Sequence, residues 1–192
     1  MKIKIATRQS ELALFQANYV MNKIQAQHAE VEVELVPMTS EGDQTEKPLH
    51  EIGGKGLFVT KLESALETGE ADIAVHSLKD VPAKIDIQYS IAAIFEREDP
   101  SDVLLSRNGS SLTDFPSNAS IGTSSPRRKA QILRARTDLN IIPVRGNIST
   151  RIRKLHEGHF DGLIVAKAAL NRLNMELTNA YEFSMQEMLP AA

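Results

Sequence analysis

The first 38 residues alternate apolar and polar positions in two places, which predicts β-strands over residues 2–7 and 31–38. Between them, apolar residues recur at helical spacing behind Ser10, a residue type that commonly caps helix N-termini. A β-α-β unit therefore opens the chain. The next segment, residues 39–56, is polar and glycine-rich without periodicity, which predicts a long, mobile or functional loop.

Beyond this loop, strands and helices alternate to residue 173. We expect helices over 56–69, 124–136, 147–158 and 167–173, and strands over 71–77, 90–95, 119–123, 139–144 and 161–166. A charged, proline-containing link at residues 96–102 divides the series. Because strand–helix alternation favours parallel sheets, the pattern predicts two α/β domains, with mainly parallel sheets and flanking helices, facing across a cleft.

The composition is that of an ordinary globular chain: 192 residues, of which 42% are hydrophobic and 24% charged, with a formal net charge of −3. The N-terminus contains neither a signal-peptide core nor a membrane span, so we expect a cytoplasmic protein that does not contact membranes. The sequence contains no cysteine, which excludes disulfides, thiolate metal sites and a cysteine nucleophile within these residues.

One segment departs strongly from the average charge. Residues 127–154 carry nine Lys or Arg against one acid, Asp138, for a net charge of +8. This segment is a solvated basic face, a nucleic-acid patch, or a pocket for carboxylates or phosphates. It contains no aromatic residue, which disfavours base stacking and hence nucleic acid as a partner.

The sequence TSSPRR favours the anion pocket. Ser124 and Ser125 are candidate N-caps, and a helix beginning at Pro126 would point its N–H groups at an anion. Arg127 and Arg128 fall in the first turn, where cations oppose the helix dipole, so a purely structural role is disfavoured.

More arginines follow the same logic at other strand ends: Arg145 before the turn-forming Gly146, Arg151 in the next helix, Arg172 after the third strand, and Arg8 after the first strand of the chain. Arginine forks suit bidentate carboxylates, so we expect a polycarboxylate or polyphosphate ligand.

At the exit of the strand over 71–77 lies the charged pair Lys79–Asp80. Asp80 is the best acid–base candidate, although a surface turn with a weak salt bridge has the same spacing. We interpret His76 as a partly buried strand residue rather than a metal ligand, and predict no metal site. The sequence GGKG lacks the phosphate-loop spacing and suits a hinge, with Lys55 available to the ligand.

Seven segments in order carry a resemblance to one family. They are IATRQSELALFQA (5–17), GGKGLFVTKLE (53–63), ADIAVHSLKDVP (71–82), REDPSDVLLS (97–106), IGTSSPRRKAQI (121–132), VRGNISTRIRKL (144–155) and DGLIVAKAALNRL (161–173). This series resembles the porphobilinogen deaminases, also called hydroxymethylbilane synthases. The resemblance implies a transferase of haem and other tetrapyrrole biosynthesis that joins four porphobilinogen units into hydroxymethylbilane, releasing ammonia.

The resemblance also implies site residues, a cofactor and a fold. Asp80 matches the essential aspartate that assists deamination and stabilises the azafulvene cation. Residues that hold a dipyrromethane cofactor, the substrate and linear pyrrole intermediates are matched by Lys79, Arg8, Ser10, Ser125, Arg127, Arg128, Arg145, Arg151 and Arg172. Lys55 and Phe58 match a mobile loop. The expected fold is two domains resembling type II periplasmic binding proteins, acting as a monomer.

In the family a third domain follows, whose cysteine anchors the cofactor, and neither is found in these residues. We therefore keep two alternatives, the transferase and a shortened, inactive form that only binds polycarboxylate pyrroles or other anions. The resemblance assigns residues 1–96 and 180–192 to the first domain and 97–179 to the second, with residues 182–192 docking on the first domain.

Overall fold

The structure of the chain is a computed structural model that describes residues 1–39, 59–176 and 178–191. It divides into two compact units, residues 1–94 and 95–192. Each unit is built around its own β-sheet. The predicted loop 39–56 lies outside the described residues except for Thr39, as do the loop residues Lys55 and Phe58.

The described residues of the first unit form a three-stranded parallel sheet in the order β2-β1-β3. The chain forms the predicted β-α-β unit first, because the alternating segments pair while Ser10 caps the helix between them, its hydroxyl accepting from Ala13 N at 3.4 Å. The elements are β1 (Lys2–Arg8), α1 (Glu11–Gln27), β2 (Glu32–Met38), α2 (Thr60–Glu67) and β3 (Ile73–Ala74), followed by a 3-10 turn at Leu78–Asp80.

Helices cover both faces of this sheet. Ile5 of β1 packs with Ala17 and Val20 of α1, whereas the next residue, Ala6, packs with Leu62 of α2. Successive strand residues point to opposite faces, so one strand supplies both cores. The carboxyl ends of β1 and β3 are thereby left at one edge, where Arg8 and the turn at Leu78–Asp80 lie.

The second unit contains a five-stranded sheet in the order β6-β5-β7-β4-β8. Strands β5, β6 and β7 run parallel, and β4 pairs antiparallel with both β7 and β8. The elements are β4 (Asp102–Ser106), a 3-10 turn (Leu112–Asp114), β5 (Ser120–Gly122), α3 (Pro126–Ala135), β6 (Asn140–Ile142), α4 (Ile148–His156), β7 (Gly162–Ala166), α5 (Lys167–Arg172) and β8 (Ala180–Glu182).

The second sheet is also buried on both faces. Leu104 and Ile164 pack with Ile132 of α3 on one face, and Val103 and Leu163 belong to the core with α4 on the other face. A strand buried on both faces carries a continuous apolar run rather than an alternating one. This explains why VLL of β4 gives no alternating signal and was not predicted as a strand.

The predicted class, mixed α/β with mainly parallel sheets and flanking helices, is confirmed. The strand predicted over residues 90–95 is wrong: this segment has no regular secondary structure, and Ile91 and Ile94 are 48% and 70% exposed. An apolar run becomes a strand only where a neighbouring strand satisfies its backbone groups, and none pairs with it among the described residues.

Residues 180–191 also differ from our expectation. We predicted that residues 180–192 return to the first domain, but β8 pairs with β4, and Met188 is 2% exposed in the second unit's core. Leu189 N donates to Gln131 Oε1 of α3 at 2.7 Å. Edge-strand pairing and burial of a large side chain therefore hold this segment on the second unit.

Candidate functional site

In the first unit, the candidate residues collect where β1 and β3 end. Ala6 of β1 pairs with Ala74 of β3, and continuing this parallel register by two residues brings Arg8 beside His76. Burial is the main cause that lowers the pKa of His76, and the charge of Arg8 adds to this shift, as expected for close neighbours. Ser10 lies two residues beyond Arg8 and is engaged as the cap of α1.

The 3-10 turn presents Lys79 and Asp80 directly after this edge. The Asp80 N–H donates to Ser77 O at 2.9 Å, which closes the turn. Ser77 Oγ in turn donates to Gln16 Oε1 of α1 at 3.0 Å, so the turn is tied to a helix. The Asp80 carboxylate accepts no hydrogen bond from the part of the chain that the structure describes.

The charges of Arg8 and Asp80 act on His76 in opposite directions. Burial is the main cause that lowers the pKa of His76; the Asp80 carboxylate opposes this shift, and the Arg8 charge adds to it. Folding therefore favours the neutral form of the His76 ring over the protonated form. Across residues 1–39, 59–176 and 178–191, no three His, Cys, Asp or Glu side chains are grouped to hold a metal ion.

In the second unit, the N-termini of α3 and α4 begin beyond the parallel strands β5 and β6. Ser125 caps α3 as predicted, its hydroxyl accepting from Arg128 N at 3.4 Å. Ser124 is no cap: its hydroxyl accepts from Val144 N at 2.9 Å and donates to Val144 O at 2.8 Å. Ser124 thus links the two strand ends and keeps the two helix N-termini side by side.

Arg127 and Arg128 share an internal carboxylate. Arg127 Nη2 donates to Asp102 Oδ2 at 2.6 Å, and Arg128 donates to Asp102 Oδ1 from Nη2 at 2.6 Å and from Nε at 3.1 Å. The Asp102 side chain is 2% exposed. The two cations in the first turn of α3 therefore have a physical reason within the fold, which the sequence reasoning had not identified.

Arg145 and Arg151 flank the turn that leads into α4. Gly146 adopts φ +106°, and a Cβ there would meet Thr150 Cγ2 at 2.8 Å, so the turn requires glycine as predicted. Arg151 Nε donates to Gly146 O at 2.7 Å. Burial, followed by the charges of Arg128 and Arg145, lowers the pKa of Arg151. The charges of Arg128 and Arg145 thus act on Arg151, which is half-buried.

Arg172 is not shown to join this cluster. It ends α5. The pKa of Glu98 is lowered mainly by the Asp99 N–H, which donates to Glu98 Oε1 at 3.0 Å, then by Asn171 Nδ2, which donates at 3.1 Å, and to a smaller extent by the charge of Arg172. The described residues contain no helix long and apolar enough to cross a membrane.

Asp102 and Gln16 are the contributors that sequence reasoning missed. Gln16 gave no signal, because it is an ordinary polar residue of an amphipathic helix. Asp102 did give one: it is an acid placed immediately before the apolar run VLL. A carboxylate at the start of a buried strand requires a cationic partner, but residues 127–154 offer nine cations, and the sequence alone does not single out Arg127 and Arg128 among them.

The similarity of the chain to known proteins is independent evidence of its family. The model of a family described as "Porphobilinogen deaminase, dipyromethane cofactor binding domain" matches residues 3–192. The porphobilinogen deaminase of Campylobacter curvus (strain 525.92) is 50% identical over 192 residues, covering 98% of this chain and 62% of that protein. That of Lawsonia intracellularis (strain PHE/MN1-00) is 49% identical over 191 residues, covering 99% of this chain and 62% of that protein. The chain thus spans 62% of the length of these curated relatives.

Solved structures agree on the fold. The sulfate-bound E204G mutant of the OxyR2 regulatory domain from Vibrio vulnificus matches with a TM-score of 0.52 at 13% identity, covering 100% of this chain and 81% of that chain. The periplasmic VFT2 domain of Bordetella pertussis BvgS matches with a TM-score of 0.53 at 13% identity, covering 94% of this chain and 73% of that one. At this identity the likeness shows the fold alone, that of type II periplasmic-binding-like domains.

Proposed function

Because the chain belongs to the porphobilinogen deaminase family, we propose that it carries the site of a transferase that condenses four porphobilinogen molecules into hydroxymethylbilane with loss of ammonia. The observation that carries this proposal beyond family membership is the cluster of Arg128, Arg145 and Arg151. Burial, followed by repulsion from the charges of Arg128 and Arg145, lowers the pKa of Arg151, so an anion bound beside Arg151 would stabilise the cluster. Porphobilinogen carries two, an acetate and a propionate.

The same cluster fits the dipyrromethane named in the family description, since two linked pyrroles offer four carboxylates. Arg128, Arg145 and Arg151 would hold these groups, with the capped N-terminus of α3 adding backbone N–H donors. Arg127, Ser125 and Arg172 in the second unit, and Arg8, Ser10 and Lys79 in the first, complete the proposed binding set. When bound, the dipyrromethane supplies the pyrrole carbon to which the first substrate is joined.

Asp80 is the proposed catalytic residue. In each addition, the C–N bond of the protonated substrate aminomethyl group breaks, and its electron pair leaves with nitrogen as ammonia. The methylene carbon left behind is part of a cation that is delocalised over its pyrrole ring. The free α-carbon of the terminal pyrrole of the chain being extended bonds to this methylene carbon and then releases its proton, for which the Asp80 carboxylate is the proposed acceptor. A carboxylate without a hydrogen-bond donor in the described residues suits this sequence, because it stabilises the cation and exchanges protons with the nitrogen atoms.

The proposal extends to the oligomeric state, the location and the partners of the protein. We propose a monomer of the cytoplasm whose partners are porphobilinogen and linear pyrrole intermediates rather than nucleic acid or a membrane. The charge distribution disfavours nucleic acid as a partner, because acids from outside residues 127–154 offset the cations of that segment: Asp102 pairs with Arg127 and Arg128, and Glu157 with Arg153. A continuous basic face for a phosphate backbone is correspondingly reduced.

The test is porphobilinogen consumption by the purified 192-residue chain, with uroporphyrin after acid oxidation as the product readout and calorimetric binding of porphobilinogen in parallel. Turnover would establish the transferase in this chain. Binding without turnover would favour the alternative, a chain that only binds polycarboxylate pyrroles. Absence of both from the folded chain would contradict the proposal.

A further inference from the structure

Asp102 is buried between two proposed ligand-binding arginines and contacts no surface that a substrate could reach, since its side chain is 2% exposed. We propose that Asp102 is a positioning residue: it fixes Arg128, together with Arg127, in the place from which these side chains bind substrate carboxylates. This inference rests on the proposed function. It assigns to Asp102 an effect on substrate affinity, in addition to any effect on the stability of the fold.

Arg128 is held at every nitrogen of its guanidinium group. Nε and Nη2 donate to Asp102 Oδ1 of β4, and Nη1 donates to Ile164 O of β7 at 3.1 Å. Because β4 and β7 are buried strands that pair with each other inside the sheet, the group is anchored to two neighbouring strands of the core. A guanidinium has five N–H donors, so donors remain for a carboxylate. The rotamer is fixed before the ligand arrives, which reduces the entropy cost of binding.

Arg127 is held by the second oxygen of the same carboxylate. Its Nη2 donates to Asp102 Oδ2, while its Nη1 donates to the carbonyl of Leu189. One aspartate therefore holds the guanidinium groups of two successive arginines in the first turn of α3. Any movement of this carboxylate displaces both guanidinium groups together.

Charge and position make opposite predictions for the loss of this carboxylate. Arg127, Arg128, Arg145 and Arg151 together with Asp102 have a formal net charge of +3, which becomes +4 when the acid is neutralised. By Coulomb attraction alone, a neutral residue 102 would strengthen the binding of an anion. If Asp102 acts by position, the released arginines bind an anion less well. The sign of the affinity change separates the two.

The experiment compares Asp102→Asn with the parent chain by calorimetric titration with porphobilinogen, at a temperature at which circular dichroism shows both to be folded. We expect the dissociation constant to rise at least tenfold. An equal or lower dissociation constant would overturn the proposal. Asp161→Asn is the matched control, because Asp161 lies in the same unit and accepts from Ser120 N at 2.8 Å without contacting these arginines; its affinity should stay within twofold of the parent.

Loss of a buried ion-pair partner often destabilises a fold, so Asp102→Glu provides a second variant. It keeps the charge and moves the carboxylate by one methylene. We expect weaker binding, by at least threefold, whereas a dissociation constant within twofold of the parent would contradict a positioning role. If the parent chain itself does not bind porphobilinogen, the proposed function fails and this inference with it; binding by the parent that Asp102→Asn leaves intact overturns this inference only.

Discussion

The two units hold their charged residues in different ways. In the first unit, Asp80 lies on a single 3-10 turn and its carboxylate accepts no hydrogen bond from the described residues. In the second unit, Arg127 and Arg128 are fixed by a carboxylate that is 2% exposed. A group that exchanges protons during a reaction must change its partners, whereas a group that only binds gains from a fixed position. The difference matches the two proposed roles.

The largest expected effect is on the first unit's aspartate. We expect Asp80→Asn to reduce porphobilinogen turnover by about 10²- to 10⁴-fold, the usual contribution of a positioned acid or base, while the dissociation constant stays within about threefold. The amide keeps the shape of the carboxylate but cannot stabilise a cation. Initial rates of porphobilinogen consumption and calorimetric binding measure the two quantities separately.

Asp86→Asn is the matched control, since Asp86 is an acid of the same unit whose Oδ1 accepts from Gln88 N at 3.3 Å in a local turn. Its turnover and binding should equal those of the parent. If Asp80→Asn weakened binding as much as turnover, Asp80 would belong with the binding residues, and the contrast between the two units would be lost.

A smaller effect is expected in the second unit, where two arginines of the same helix can be compared. Arg151→Met should raise the porphobilinogen dissociation constant by about 10- to 100-fold, since a hydrogen bond to a charged group contributes about 1.5–3 kcal/mol. Burial and neighbouring charges lower the pKa of Arg151, so its charged form is disfavoured in the folded state. The urea midpoint of Arg151→Met should therefore not fall.

Arg153→Met is the matched control for Arg151→Met. Arg153 is 63% exposed and donates to Glu157 Oε1 at 2.7 Å one turn later in α4, an exposed pair that contributes about 0.3–0.5 kcal/mol. Its loss should lower the urea midpoint slightly and leave binding unchanged. Equal affinity losses in both variants would mean that general positive charge, rather than the Arg128–Arg145–Arg151 cluster, attracts the ligand.

Local patterns predicted the elements whose signal lies within one short segment. The cap at Ser10, the cap at Ser125 and the glycine turn at Gly146 each depend on a few consecutive residues, and each is found in the structure. Features that need a distant partner were missed. The segment 90–95 has the composition of a strand but no neighbour to pair with, while β8 is short and becomes a strand only by pairing with β4.

The same limit applies to the candidate site. The count of charges over residues 127–154 treated Arg127 and Arg128 as uncompensated, because their partner Asp102 lies 25 residues earlier in the chain. Parallel register could have placed Arg8 near His76, but only once the pairing of β1 with β3 was known. The sequence supplied the residue types at the strand ends, and the long-range strand pairing decided which of them meet.

The smallest expected effect concerns pH and the first unit alone. Burial lowers the pKa of His76 in the folded chain, whereas in an unfolded chain the pKa is near 6.5. As the pH falls through about 6.5, the unfolded chain therefore takes up a proton at this residue more readily than the folded chain does. The unfolded state then binds more protons, and the first unit should lose stability as pH falls from about 7.5 to 5.5. Amide exchange followed by mass spectrometry at the two pH values, corrected for intrinsic rates, should show this loss in peptides of β1 but not of β4. His76→Gln should reduce the pH dependence in β1; an unchanged dependence in that variant would assign it to other groups.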